Sequence, residues 1–388
     1  MYLKHFFIIC LTTLCLAVPS SWCAADESAP IRIGATVSLE GKYVEPSKML
    51  RDGFRLWQKQ VNEGGGLLGR QVELLLYDDK SSPELVSRLY EKLITEDKVD
   101  LVLPPYSTQL TLAAAEVTSR HGYLVLACGA SGDEVWSRGF KNVFGIWAPA
   151  GRYFIGLLDI MASNGMDSVA IVYEDNSFTR DMAVGTREWA EKFGLKVSLF
   201  RSFVAGSDDL SALVKEVQKE KPDGLILSSY PNDSYLLMRL LETQKYRPRV
   251  LGLTIASAHP DFYLKAGSFA EGVFGSSQWE PNERIPFPGA RKFISDFSEY
   301  AKGLPSYHSG SAYAGCQIIE RAIRNCACLD QARMADYIRS LDTVTIAGRF
   351  KVDQDGRQIG HNSVIIQWQN GKKQIVFPAS MQTAQPKL

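Results

Sequence analysis

From Ile31 onward the chain alternates short β-branched runs with longer amphipathic stretches, the pattern of parallel βαβ units. Strands are predicted at Ile31–Val37, Val72–Tyr77, Leu101–Leu103 and Tyr123–Ala127. Helices run between them, and the first places Met49, Gly53, Leu56, Trp57 and Val61 on one face that should cover a sheet. The alternation then restarts, with strands at Val169–Tyr173, Val197–Phe200, Gly224–Ser228 and Val250–Leu253. Their helices are predicted at Phe178–Phe193, Asp208–Glu220 and Asp233–Gln244; in the middle one Leu210, Leu213, Val214 and Val217 form the apolar stripe and Asp208 stands ready to cap the first turn. Gly272–Ser276 reads as one more strand, and the Pro-rich run from Pro281 to Pro288 as a connection between halves. Helices return at Gly289–Ala301, Ser309–Arg324 and Gln331–Leu341. Val352–Gly356 then reads as a turn, and Val364–Trp368 and Lys373–Phe377 flank Asn370-Gly371, the dipeptide a type I′ hairpin turn prefers. Residues after Pro378 read as a loose tail.

Composition narrows what such a chain does. With 388 residues, 45% apolar and 22% charged, it is long enough for two domains with a core each. The 43 basic and 43 acidic residues cancel, and no Lys/Arg block is interleaved with aromatics, so neither nucleic acid nor an anionic membrane surface is an expected partner. A small neutral or zwitterionic molecule fits better. Lys4, the apolar run Phe6–Val18 and the small residues to Cys23-Ala24-Ala25 form a secretory signal pattern with cleavage expected near Ala25. The apolar run is shorter than the ~20 residues a membrane span needs. A lipid anchor on Cys23 is the minor variant, disfavoured by bulky Trp22. Cleavage leaves Cys128, Cys316, Cys326 and Cys328. Cys316 and Cys326 share one predicted helix, roughly 15 Å apart by helical rise, too far for a bridge, and buried or idle thiols are expected.

Open parallel sheets bind ligands at the carboxyl ends of their strands, so the loops there hold the candidate chemistry. Pro104-Pro105-Tyr106-Ser107-Thr108-Gln109 leads into a helix whose start would suit a carboxylate, although Ser107 or Thr108 could be plain N-caps. Cys128-Gly129-Ala130-Ser131-Gly132-Asp133 allows close backbone approach and offers the Ser131 hydroxyl, or is a simple turn. In the second half, Glu174–Phe178 and Ser229–Asp233 follow strands; Phe178 and Tyr230 could close over a ligand or simply pack.

Ile31-Arg32-Ile33-Gly34, the Gly53 helix, Val61-Asn62-Glu63-Gly64-Gly65, Gly69-Arg70, Tyr77-Asp78-Asp79, Tyr106-Ser107-Thr108 and Gly129-Ala130-Ser131 stand in an order and spacing that resembles the leucine/isoleucine/valine-binding-protein family, over about Ile31 to Phe377. The resemblance implies an α/β fold of the type I periplasmic-binding class: two Rossmann-like lobes with parallel sheets joined by a three-strand hinge. It implies lobe 1 over 31–147 plus 279–344, lobe 2 over 148–278 plus 345–378, and a tail at 379–388. It also implies a periplasmic receptor, monomeric, that delivers a small solute to an ABC permease. In its amino-acid binders Ser107, Thr108 and the Gly129, Ala130, Ser131 segment would face the ligand carboxylate, Phe178 and Tyr230 the second wall, and Tyr43 the cleft mouth. The departures are Pro105, where a glycine is frequent, and Thr254-Ile255-Ala256-Ser257, where an acidic residue often pairs with the ligand ammonium. Thr254 thus takes that ligand-facing place, and Asp233, Glu174 or Asp175 would have to substitute for the missing acid.

Other function classes are less well supported. Gly64–Gly69 contains G-x-G-x-x-G, but it follows a helix and precedes a strand, the reverse of the dinucleotide fingerprint. No G-x-S-x-G elbow, H-x-x-x-H or C-x-x-C occurs, so neither a catalytic centre nor a metal or other cofactor is expected. A ligand-sensing subunit for a membrane signalling protein remains the alternative to a transport receptor, with an enzyme third.

Overall fold

A computed structural model describes residues 29–207, 210–282 and 284–388. The signal-type segment with Cys10, Cys15 and Cys23, the expected cleavage near Ala25, and the expected cap Asp208 lie outside these residues.

The first body opens on β1 (Ile31–Val37), which pairs in parallel with β2 (Val72–Asp78) and β3 (Leu101–Val102). α1 (Val44–Glu63), α2 (Pro83–Thr95) and α3 (Thr108–Arg120) supply the crossovers. β4 (Val125–Ala127) follows and, after the short α4 (Glu134–Ser137), pairs in parallel with β5 (Val143–Gly145).

The second body repeats the theme: α5 (Ile155–Ser163), β6 (Ser168–Glu174), α6 (Ser177–Lys192), β7 (Lys196–Phe203), α7 (Leu210–Glu220), β8 (Gly224–Ser228), α8 (Pro231–Thr243), β9 (Val250–Leu253), α9 (Phe262–Ala266) and β10 (Phe274–Ser277). α7 buries Leu210, Leu213, Val214 and Val217, the stripe read from its spacing. The chain then returns to the first body through α10 (Ala290–Ala301), α11 (Tyr307–Cys326), α12 (Gln331–Ser340) and the hairpin β11 (Asp342–Thr345) and β12 (Gly348–Lys351). It ends with β13 (Val364–Gln369) and β14 (Lys372–Phe377), which extend the second sheet to seven strands in the order β14-β13-β10-β9-β8-β6-β7. Only the pairings made by β13 are antiparallel in that sheet. Asn370 and Gly371 both take positive φ, as their type I′ turn requires.

Helix α11 lies against α1 because Gly53 has no side chain: a Cβ there would stand 2.5 Å from the Ser309 carbonyl oxygen. The β11–β12 hairpin sits on the first body, with Ile346 N–H donating to Gln317 Oε1 and Trp279 Nε1 to the Ile346 carbonyl. The boundary expected at 344/345 falls inside it. Three segments cross between bodies, after β5, β10 and β12, and hydrogen bonds stitch them together. Ala148 N–H donates to Gln278 Oε1 at 3.2 Å, and His361 Nε2 lies 2.8 Å from the Gln278 carbonyl oxygen.

Three parts of the pattern reading need correction. Helix α5 was not anticipated, because Gly156, Leu157, Leu158, Ile160 and Met161 are all buried and leave little polar face to reveal its period. The three-residue β5 and the β11–β12 hairpin are too short or too polar to announce themselves. Residues after Pro378 are pinned rather than loose: the Gln367 amide exchanges hydrogen bonds with the Lys387 backbone at 2.6 and 2.9 Å, and Gln369 donates to the Gln385 carbonyl. Glutamine amides on β13 thus stand in for a further strand's backbone. Among the described residues no helix is long and apolar enough to cross a membrane.

Candidate functional site

The loops at the carboxyl ends of the strands of both bodies meet over one enclosed chamber. In the first body, the loops after β3 and β4 lie face to face because Gly129 has no Cβ; one would press on Tyr106 Cα at 3.0 Å. Ser107 N–H donates to the Gly129 carbonyl, and Gly132 N–H to Thr108 Oγ1 at 3.2 Å. The two loops therefore form one surface, onto which Thr108, Gly129 and Ser131 project. Ser131 Oγ is 2.5 Å from the Tyr153 hydroxyl.

From the second body come Phe178, in the first turn of α6, and Tyr230, the residue before α8. Asn176 Oδ1 caps α6 by accepting from Thr179 N–H, and Glu174 Oε2 accepts from Tyr230 N–H at 3.1 Å, so both rings are held by the backbone beneath them. Tyr43 precedes α1 and bridges the bodies. Its ring is edge-on to Tyr106 at 5.8 Å and to Tyr230 at 4.9 Å, and its hydroxyl donates to Gln109 Oε1. Outside this roof, Lys42 Nζ lies over the Tyr43 and Tyr230 rings and 3.7 Å from Glu174.

Of the residues expected at the site, Thr108, Gly129, Ser131, Phe178 and Tyr230 line the chamber, and Tyr43, with 1% exposure, does not line it but packs against the lining rings of Tyr106 and Tyr230. Ala130 is buried in the same loop without lining the space. Ser107 spends its hydroxyl as a helix cap, accepting from Leu110 N–H at 3.2 Å. It does so with φ 82° and ψ 156°, a backbone region otherwise left to glycine. Thr254 Oγ1 both accepts from Ser229 N–H and donates to its carbonyl, so it braces the loop before Tyr230 instead of facing the chamber.

Pattern reading did not assign Tyr106, Trp147, Tyr153, Tyr307 and His308 to the site, although all five line it. Trp147 and Tyr153 come from the first crossover and Tyr307 and His308 from the start of α11, none of them a loop after a strand of the expected set. Tyr106 stands in the loop after β3 that the pattern singles out, and for Tyr307 and His308 the signal was Ser306, a capping residue just before them. His308 is the least ordinary of these. Its Nδ1 lies 3.4 Å from Ser306 Oγ, while Nε2 is buried with no protein partner. Burial, with help from nearby His259 and Lys373, holds its pKa well below that of a free imidazole.

The acids considered as ammonium partners are engaged elsewhere. Glu174 serves Tyr230 N–H and Lys42, Asp233 accepts from Gly206 N–H, and Asp175 pairs with exposed Arg180. Burial raises the pKa of Glu174 and of Asp233. Among the described residues no Asp or Glu lines the chamber, and no cluster of three metal-ligating side chains occurs. The space within the lining that admits the centre of a water molecule is about 10 Å³. The two bodies are therefore shut over room for about one water. Such an arrangement can bind and occlude a small molecule.

The family profile described as "Periplasmic binding protein" matches residues 30–373. The chain is 25% identical over 382 residues to Leu/Ile/Val-binding protein homolog 7 of Brucella suis, covering 92% of this chain and 93% of that one. Its fold is similar to that of LivJ, a branched-chain amino acid transporter substrate-binding protein of Streptococcus pneumoniae solved with isoleucine. The TM-score is 0.81 at 18% identity, covering 90% of this chain and 100% of LivJ. It is also similar to a solute-binding protein of an ABC transporter from Rhodopseudomonas palustris solved with benzoate, at TM-score 0.77 and 16% identity, covering 92% and 98%.

Proposed function

The chain belongs to the periplasmic binding protein family, and from that premise we propose that it is the extracytoplasmic receptor of a branched-chain-amino-acid-type ABC transporter. It captures a small polar solute, an amino acid, amide or carboxylate, between two lobes and hands it to a membrane permease. The lobes are 31–147 with 279–344, joined by the hairpin that follows, and 148–278 with the final strands. Export by the signal-type N-terminus brings the protein, as a monomer, to the compartment where such a receptor works.

One observation carries this reading: a single chamber is walled by strand-end loops of both bodies, so its occupant is released only when the bodies part. Thr108 and Ser131 offer hydroxyls to the solute from one side, backed by the close-lying Gly129 backbone, and Phe178 and Tyr230 close the other. Tyr43 roofs the chamber, while Ser107 and Thr254 hold the loops in place. The family is one of binding proteins.

A thermal-shift screen over amino acids, amides, urea and aromatic acids tests the proposal, because a ligand of the folded state raises the melting temperature by mass action. The expected result is a hit whose affinity falls about tenfold or more in Ser131→Ala or Thr108→Val, the loss of one buried hydrogen bond. A ligand that binds undiminished to both variants would place the site elsewhere.

A further inference from the structure

The make-up of the chamber says more about its occupant, on the premise that the receptor reading above holds. Seven of the ten lining residues carry a ring. The rings form a continuous wall. Tyr106 meets His308 edge-on at 5.1 Å, His308 meets Tyr307 at 3.9 Å, and Tyr307 meets Trp147 at 5.7 Å. On the other side Tyr153 meets Phe178 at 5.9 Å, and Phe178 meets Tyr230 at 6.1 Å. Flat solutes suit such a wall, since rings pack well edge-to-face or offset against one another.

The polar side-chain groups are hydroxyls, an indole N–H and an imidazole, with no carboxylate, ammonium or guanidinium among them. Thr108 Oγ1 already accepts from Gly132 N–H, which leaves its proton to donate. The Ser306 hydroxyl accepts from His308 N–H and lies 3.4 Å from His308 Nδ1; in the tautomer where Nδ1 accepts the Ser306 proton, Nε2 carries the proton of the neutral ring. A buried donor without a partner is unfavourable, and an oxygen on the solute relieves it. The wall therefore offers hydroxyl and imidazole groups that can donate to a solute oxygen; it holds no Asp or Glu for an ammonium and no Lys or Arg for a carboxylate, whose charge would rest on those hydrogen bonds. A free α-amino acid would leave its charged nitrogen in a shut chamber without a carboxylate. Even with the open space at its mouth included, the gap between these walls is only about 290 Å³, which limits the occupant to about one ring. Because the shut walls admit little more than one water, that ring enters with the lobes parted and the wall rings repack around it.

We propose that the solute is a single-ring aromatic carboxylate without an ammonium group, and that His308 Nε2 donates a hydrogen bond to one of its oxygens and so sets this preference. The test is calorimetry of the whole protein with benzoate, 4-hydroxybenzoate and phenylacetate against leucine, isoleucine and trimethylammonioacetate, the last because an aromatic cage also attracts a quaternary ammonium. At least one aromatic acid is expected to bind at least about tenfold more tightly than the others. His308→Phe, which keeps a ring and removes the donor, is expected to weaken that acid about ten- to a hundredfold, and His308→Gln, which keeps a donor near the Nε2 position, to restore most of it. Tighter binding of leucine or of the quaternary ammonium, or full affinity in a folded His308→Phe protein, overturns the inference and leaves the receptor reading standing. If His308→Phe does not fold, the wild-type comparison still decides the solute class. Failure of every compound in the panel and in the wider solute screen to bind overturns both.

Discussion

Replacing Ser107 by alanine and by glycine should move stability in opposite directions. Ser107 sits at φ 82° and ψ 156°, where a non-glycine residue costs about 1–3 kcal/mol. Its hydroxyl offsets part of that by capping α3 through Leu110 N–H, a contact worth about 1 kcal/mol. Alanine keeps the strain and loses the cap, so it should be about 1 kcal/mol less stable than the natural protein. Glycine relieves the strain and serves as an N-cap at a loss of only a few tenths, but it frees the unfolded chain by about 0.4–1 kcal/mol. The balance for glycine is roughly 1 kcal/mol of gain, which sets the two variants about 2 kcal/mol apart. Urea unfolding of both proteins, compared at equal slope, measures the gap. If glycine proved no more stable than alanine, the backbone at Ser107 would not be strained and its unusual conformation would need another account.

His361, packed against the Trp147 ring at the crossing segments, is pushed down by burial to about 4 from its ordinary 6.5. Between those values the unfolded chain binds a proton that the native state excludes. Its contribution, about 3 kcal/mol, is therefore complete above pH 6.5 and lost as pH falls through 4; melting curves from pH 7 to 4 should fall more steeply for the natural protein than for His361→Gln. Gly185→Ala should destabilise by about 1–3 kcal/mol or more, because its Cβ would lie 2.2 Å from Gly151 Cα, whereas Gly151→Ala, with 3.3 Å of clearance, should be milder; chemical unfolding of the pair would show equal effects if α6 could slide away. All four described cysteines are free, with Cys128 and Cys316 buried and Cys326 and Cys328 half-buried, so in protein lacking the N-terminal segment with Cys10, Cys15 and Cys23 a thiol reagent should modify two in the native state and four after denaturation without reductant; two throughout would mean a bridge.

The hydrophobic pattern alone determined most of the framework. Strands as buried as β8 and helices as amphipathic as α1 and α7 write their period into the chain, because one face or both must leave water. Loop composition likewise pointed to Thr108, Gly129, Ser131, Phe178 and Tyr230, since parallel strands deliver their following loops to one edge. What local pattern could not carry was decided by contacts between residues far apart in sequence. Thr254 has the hydroxyl a binding loop would show, yet it is consumed by the Ser229 backbone, which only the folded loops bring near; for Ser107 the sequence already allowed a plain cap, and the fold chose that reading. Trp147, Tyr153, Tyr307 and His308 join the chamber from crossover and helix-start positions some 160 residues apart in the chain. Aromatic rings pack as readily in a core as around a solute, so their type alone did not distinguish the two roles. Only the meeting of both bodies turned them into a wall, while contacts within the second body engage the acids Glu174, Asp175 and Asp233 outside it.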